Sequence, residues 1–290
     1  MTSRQPAILE VDSLSKHYAD FDLKDVSLSL PKGAIMGLVG TNGAGKSTTI
    51  KLILNLIRRD GGSVRIFGKD NIGEEAAVKE RIGVVFDECF FHDNLKPSQV
   101  SKVMGHIYKD WDEAYFFRLT DRFALPRGKV VKEFSRGMKM KLSIAAALSH
   151  HPDLLLLDEP TSGLDPIVRN EILDLFMDFI QDENKSVLLS SHITSDLEKV
   201  ADYIAYIHGG RILLSDEKDA LVERYGVLKG PAAAADQVDP GDVVGLAVGR
   251  HGFDALVADR AAMAKKYPDL LVDAANLEDI ILYLVRGNKV

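Results

Sequence analysis

Gly40-Thr41-Asn42-Gly43-Ala44-Gly45-Lys46-Ser47 fits the spacing G-x-x-x-x-G-K-[ST] at every specified position, and that is the spacing of a phosphate-binding loop. The glycines allow successive backbone N–H groups to converge on phosphate oxygens. Lys46 adds a mobile positive charge, Ser47 offers a hydroxyl oxygen to Mg²⁺, and Thr48 continues into a helix whose N-terminal partial charge favours the same anion. A second pair completes the chemistry. Asp158 and Glu159 end the apolar run Leu154-Leu155-Leu156-Leu157, where two acids are costly unless a cation or polar partners meet them. A nearby phosphate loop supplies the reason: Asp158 would hold Mg²⁺ through its water shell, and Glu159 would reach a water aimed at the γ-phosphate.

The elements required to position these groups are legible in the pattern. Ala34 to Val39 is a short apolar run of buried-strand character, and Ile50, Ile53, Leu54 and Ile57 recur at helical spacing over Ser47 to Arg58, giving strand, loop and helix in the required order. Ala7 to Val11 and the alternating Val26, Leu28 and Leu30 read as early strands, Val64 to Phe67 and Ile82 to Phe86 as later ones. From Leu95 to His150 the pattern is helical, which predicts a helical subdomain between the loop and the next buried strand. Leu154 to Leu157 lacks alternation and predicts a strand buried on both faces. A helix with Ile172, Leu175, Phe176, Phe179 and Ile180 on one face follows, then a strand over Val187 to Leu189 that ends near His192. Tyr203 to Ile207 and Arg211 to Leu214, joined by Gly209-Gly210, predict a closing hairpin. Alternating strand and helix make the core α/β. Beyond roughly Ser215 a linker-like Gly230 to Ala235, a strand at Val243 to Val248 and a last helix capped by Asn276 predict a small accessory domain, with Leu277, Ile280, Ile281 and Leu284 packed internally or against a dimer partner.

Composition narrows the function classes. The chain has 290 residues, 46% of them hydrophobic and 27% charged, with a formal net charge of -7, which is ordinary globular composition and no footprint of a phosphate-neutralising nucleic-acid binder. Cys89 is the single cysteine, so an intrachain disulfide and a cysteine-built zinc site are excluded and a reducing cytosol is expected. Met1 to Pro6 carries no apolar leader, and the longest apolar stretch, Ile280 to Val285, is far too short to span a bilayer.

Between the loop and the acidic pair lies Phe134-Ser135-Arg136-Gly137-Met138, and after the pair come Ser162-Gly163-Leu164-Asp165 and Ser191-His192. The order of these motifs resembles the ATP-binding subunit of an ATP-binding-cassette (ABC) transporter over about Ala7 to Leu214. The resemblance implies a P-loop NTPase core of the ABC ATPase type, with an antiparallel β subdomain and a helical subdomain at about 95–150 within an ATPase domain at 1–215. A small α+β accessory domain would follow at 216–290. It also implies roles: Tyr18 stacks on adenine, Ser135 and Gly137 cap the γ-phosphate held by the other protomer, Asp165 links the two sites, and His192 contacts the γ-phosphate. Gly40, Asn42, Gly43, Ala44, Gly45, Lys46, Ser47 and Thr48 would cradle ATP, with Lys46, Glu159 and His192 catalytic and Ser47, Asp87 and Asp158 on Mg²⁺.

Departures from the family pattern sharpen the expectation. The signature usually reads Leu-Ser-Gly-Gly-Gln, and Phe134, Arg136 and Met138 replace its first, third and fifth residues. Arg136 reads either as a phosphate or ribose contact or as a solvated side chain. The glutamine that usually ends the strand at Ile82 to Phe86 is Asp87 here, shorter and charged, and Cys89-Phe90-Phe91-His92 falls where the family receives a membrane subunit's coupling helix. Together with the C-terminal segment, these departures resemble ATPases of bacterial ABC-2-type exporters, including those serving antimicrobial peptides. The expectation is a cytoplasmic ATPase that dimerises around two Mg·ATP, with an identical or different second ATPase subunit, and sits on the membrane's cytoplasmic face through separate permease subunits. The rival reading is a soluble ABC ATPase acting on DNA or ribosomes; such proteins usually carry two cassettes or a coiled-coil insertion, and neither is present. A regulatory module without turnover is disfavoured by the presence of both Glu159 and His192.

Overall fold

The computed structural model describes residues 6–250 and 252–287. Residues 1–5, part of the stretch expected to carry no apolar leader, lie outside the described residues. The first half of the chain runs β1 (Ala7–His17), β2 (Asp22–Pro31), β3 (Ile35–Val39), α1 (Lys46–Ile53), β4 (Gly61–Ile66), β5 (Lys69–Asp70), α2 (Glu75–Lys79) and β6 (Ile82–Val85). The helical subdomain contributes α3 (Pro97–Ile107), α4 (Glu113–Arg122) and α5 (Arg136–Leu148). Then follow β7 (Leu154–Asp158), α6 (Pro166–Phe179), β8 (Ser186–Ser191), α7 (Thr194–Val200), β9 (Tyr203–His208) and β10 (Arg211–Glu217). The last part holds α8 (Lys218–Arg224), β11 (Gly226–Gly230), β12 (Val243–Val248), β13 (Phe253–Val257), α9 (Arg260–Lys266), β14 (Leu271–Ala274) and α10 (Leu277–Gly287).

The central sheet has the order β10-β9-β3-β8-β7-β6, parallel from β9 to β6 and closed by the antiparallel hairpin partner β10. Every residue of β3, β7 and β8 is buried, as the unalternating apolar runs require of strands covered on both faces. Period-2 geometry divides their side chains between two cores. Met36, Leu38, Leu154, Leu156, Leu188, Ala205 and Ile207 pack with the antiparallel sheet β2-β1-β4-β5 and α1. Ile35, Val39, Leu155, Leu157, Val187, Leu189, Ile204 and Tyr206 pack with the helical subdomain, α6 and α7. Parallel strands place their C-terminal ends on one edge, so Val39, Asp158 and Ser191 all open onto the same side of the sheet.

Several expected boundaries move. The helix after the phosphate loop stops at Ile53 and not at Arg58, because Asn55 takes a left-handed φ of 52° that no helix continues through; Ile57 therefore packs from a turn. β1 runs on to His17 through two register shifts against β2, a ribbon longer than Ala7 to Val11. The linker expected at Gly230 to Ala235 lies inside the C-terminal unit: β11 ends at Gly230, and residues 232–237 form a 3₁₀ turn. That unit is an antiparallel sheet of order β12-β13-β11-β14. Asn276 caps α10 as expected, accepting from the Asp279 N–H at 2.7 Å. The apolar face of α10 packs internally, with Leu277, Ile280 and Tyr283 joining Leu197, Val200 and Leu221 in the same buried cluster.

Candidate active site

Gly45 sits at the N-cap of α1 with φ 114° and no side-chain cap, so the first helical N–H groups face the cavity unclaimed by any capping side chain. An alanine Cβ at Gly45 would come within 2.8 Å of Leu23 Cδ1, and one at Gly40 within 2.4 Å of the Ile207 carbonyl oxygen. Glycine is thus fixed at both places by the chain's own packing. Gly43 differs: its φ is 79° and nothing lies within 4 Å of where a Cβ would point, so the space above the loop is left to whatever the loop holds. Lys46 is buried at 5% exposure and donates to the carbonyls of Gly40 at 2.7 Å and Thr41 at 3.2 Å. Its Nζ also lies 3.0 Å from Glu159 Oε1.

Glu159 follows β7 with a left-handed φ of 52°. A bulky residue holds that conformation only where its surroundings over-determine it. Ser190 on β8 provides the determinant. Its Oγ accepts from the Glu159 N–H at 3.0 Å and donates to Asp158 Oδ1 at 2.7 Å, so one hydroxyl fixes both acids. His192 Nδ1 donates to Glu159 Oε2 at 2.7 Å, which places the proton on Nδ1, since a carboxylate can only accept. Lys46, Glu159 and His192 therefore form a continuous line from the phosphate loop to the end of β8.

A cavity of about 800 Å³ lies over this line, bounded by Asn42, Gly43, Gly45, Lys46, Ser47 and Thr48 on one side and Asp87, Glu159, Ser162 and His192 on the other. The expected site residues among these, all but Ser162, are brought together. Asp158, 2% exposed, stands behind Glu159 and does not line the cavity. Gly40 and Ala44 likewise shape the loop from beneath; the Ala44 carbonyl accepts from the Gly210 N–H at 3.0 Å. Tyr18 lines an adjoining cavity with His17, Lys24 and Arg211, and Asp20 and Phe21 line both that cavity and the one over the phosphate loop. The turn after β1, in which the Tyr18 N–H donates to the Phe21 carbonyl at 2.9 Å, brings both residues to that adjoining cavity.

Ser135, Gly137 and Asp165 are not brought into this cavity within one chain. Ser135 caps α5 by accepting from the Met138 N–H at 3.2 Å, and Asp165 caps α6 by accepting from Ile167 and Val168 at 3.1 and 3.0 Å. Arg136 is the part of the signature that does reach the cavity, its guanidinium lying against Gly163, where a Cβ would meet Nη1 at 2.8 Å. Sequence reasoning missed Ser190, Asp20 and Phe21. Ser190 carried a readable signal, a polar residue that with Ser191 closes the apolar run Val187-Leu188-Leu189, whereas Phe21 carried none.

The oxygen donors present, the Ser47 hydroxyl and the Asp87 and Asp158 carboxylates, are few and hard, which suits Mg²⁺ and its retained waters. Among the described residues no group of three or more His, Cys, Asp or Glu forms a self-sufficient metal cage.

The family description "ABC transporter" matches residues 23–162. The chain is 34% identical over 220 residues, 75% of its length and 72% of the relative's, to the bacitracin transport ATP-binding protein BcrA of Bacillus licheniformis. It is 36% identical over 232 residues, 78% of its length and 70% of the relative's, to the daunorubicin/doxorubicin resistance ATP-binding protein DrrA of Streptomyces peucetius. A solved structure described as an ATP-binding subunit of an ABC transporter superposes with a TM-score of 0.65 at 28% identity, covering 74% of this chain and 91% of the other. With the phosphate loop, the acidic pair and the histidine converging at one sheet edge, the chain belongs to the ABC transporter family as an ATP-binding, ATP-hydrolysing subunit.

Proposed function

We propose that this chain powers a separately encoded membrane permease by hydrolysing ATP at the cavity over α1, as one half of an ATPase dimer on the cytoplasmic face of the membrane. The observation that carries the proposal is the Lys46–Glu159–His192 line, with contacts of 3.0 and 2.7 Å, directly over an uncapped helix start. The loop N–H groups and Lys46 bind the phosphates, Glu159 accepts the proton of the attacking water, and His192 holds Glu159 in register. Ser47, Asp158 and Asp87 are the residues that would hold Mg²⁺, which when bound neutralises charge on the phosphate oxygens. Ser135, Gly137 and Asp165, outside the cavity of their own chain, are assigned to the partner's nucleotide. Tyr18 and Phe21 together flank the adenine end.

Several observations favour a permease partner over a nucleic acid. The formal charge is -7, and the segment after β6 lines an apolar groove of about 250 Å³ with Phe86, Phe90, Phe91, Met104 and Tyr108. Phe90 is 74% exposed, which suits it to meet a hydrophobic helix end. Among the described residues no helix is long and apolar enough to cross a membrane, so the span is assigned to other subunits. The relatives named for bacitracin transport and anthracycline resistance favour export of drugs or peptides. We divide the chain into an ATPase domain at 1–215 and an accessory domain at 216–290.

Glu159→Gln tests the reading. It removes the base and keeps a polar side chain of similar size, so turnover should fall about 100-fold or more while ATP affinity stays near wild type and ATP-bound dimers accumulate. Hydrolysis at the wild-type rate in this variant would remove Glu159 from the chemistry.

A further inference from the structure

We infer that Glu198, remote from the cavity, is a positioning residue for hydrolysis, through which the C-terminal unit holds the helix that carries His192; the inference rests on the role proposed for Glu159 and His192. His192 precedes α7 by a single residue, so the histidine's place is set by how α7 is held. Besides the ion pairs of Lys199 with Asp174 and of Asp196 with Arg169, three contacts set its place. Asp196, 4% exposed, accepts from Thr161 Oγ1 at 2.7 Å, which ties α7 to the residue two beyond Glu159. Leu197, wholly buried, packs on β3 just before the phosphate loop, with Cδ2 at 2.8 Å from where a Cβ on Gly37 would lie. Glu198 supplies the third contact, on the side away from the site.

That third contact comes from beyond residue 215. Glu198 Oε1 accepts from the N–H of Leu277, the first residue of α10, at 3.0 Å. Asn276 serves the N–H of Asp279, and the N–H of Leu277 goes to Glu198. The cap of α10 is thus divided between its own N-cap residue and a carboxylate on α7, and an anion is favoured there by the helix dipole. Lys218, which opens α8, donates to the Glu198 carbonyl at 3.0 Å, so both the side chain and the backbone of one residue are held by the C-terminal unit. The apolar layer beneath, Leu277, Ile280 and Tyr283 against Leu197, Val200 and Ala201, makes the junction a packed interface and not a hinge. Shifts of α10 are therefore passed to α7 at the end opposite His192. The sequence gives no hint of this, since Glu198 lies in a plain amphipathic stretch.

The test uses the full-length chain and compares Glu198→Ala with Glu198→Gln, whose side-chain oxygen can still accept from Leu277. In Glu198→Ala, kcat for ATP hydrolysis should fall about threefold to thirtyfold, the range for couplings carried by packed networks, with KM changed less than about twofold, because the phosphate loop is untouched. The Leu277 amide should exchange with solvent faster in the same variant. Glu198→Gln should restore both the rate and the protection. Unchanged kcat in Glu198→Ala, failure of Glu198→Gln to restore it, or a rise in KM matching the fall in kcat would each overturn the inference. Hydrolysis that depends on Glu159 but ignores Glu198→Ala defeats this inference alone; hydrolysis indifferent to Glu159→Gln defeats the proposed function with it.

Discussion

Asp87 and Glu88 are neighbours in sequence but line different cavities, Asp87 the one over the phosphate loop and Glu88 the apolar groove beside Phe90 and Phe91. This bears on the question raised by an aspartate where the family has glutamine. A carboxylate brought towards phosphates is repelled unless a cation lies between them, which supports the proposal that Asp87 is a ligand of the metal or of its waters. Asp87→Ala should lower turnover and raise the Mg²⁺ concentration for half-maximal activity about tenfold or more, while Glu88→Ala leaves the Mg²⁺ dependence at wild type. A Mg²⁺ titration of both variants decides it; superimposed curves for Asp87→Ala and wild type would show that Asp87 is no ligand. The residue scale was also where the sequence was incomplete: it singled out Tyr18, whereas the turn after β1 brings Asp20 and Phe21 to the phosphate-loop cavity as well, and turn geometry is not written in spacing.

At the scale of elements, the helical subdomain is fastened to the central sheet through His150, just beyond α5. Its ring is stacked on Tyr108, the residue after α3, at 3.8 Å, and its Nε2 donates to the Ile82 carbonyl of β6 at 3.1 Å. Burial pushes the His150 pKa below its ordinary value of 6.5, against a smaller opposing pull from the Ile82 and Ala146 carbonyls and from Glu80. Protonation is therefore easier in the unfolded chain. The contribution to stability is fully present above about pH 6.5 and is lost as pH falls from there through the folded value, by at most about 1.4 kcal/mol per pH unit. The melting temperature of His150→Gln should accordingly lose less between about pH 7.5 and pH 5.5 than wild type does. Equal losses would mean that His150 does not titrate with folding. Element type was legible in the sequence wherever periodicity was long, as in β7 and α6. Ends were not, because a single left-handed residue such as Asn55 stops a helix that the apolar spacing would continue.

For the whole molecule, the separation of Ser135, Gly137 and Asp165 from the cavity of their own chain points to a site completed by a second copy or a related subunit. Gly137 is informative here. A Cβ at Gly137 meets nothing nearer than Val168 Cγ1 at 3.5 Å, an ordinary contact, and its φ is not left-handed, so nothing among the described residues demands glycine. Gly137→Ala should melt at or slightly above the wild-type temperature, by up to about 1 kcal/mol of helix propensity. It should nevertheless lose the steeper-than-linear rise of ATPase activity with protein concentration. A variant that hydrolyses normally at every concentration would show that the glycine is not kept clear for a partner's nucleotide.

The sequence by itself determined the family and the class of fold, because a phosphate loop, an acidic pair and a buried parallel strand are written in contiguous residues whose types and spacing leave few alternatives. It placed Lys46, Glu159 and His192 in order without showing that they touch. Only the tertiary structure decided that Ser190 on β8 fixes both Asp158 and Glu159, that Arg136 rests on Gly163, and that α10 caps itself on Glu198. Each of these joins residues distant in the chain through the register of a parallel sheet or the docking of a helix. Such contacts depend on three-dimensional packing across the whole core, and no local pattern encodes them.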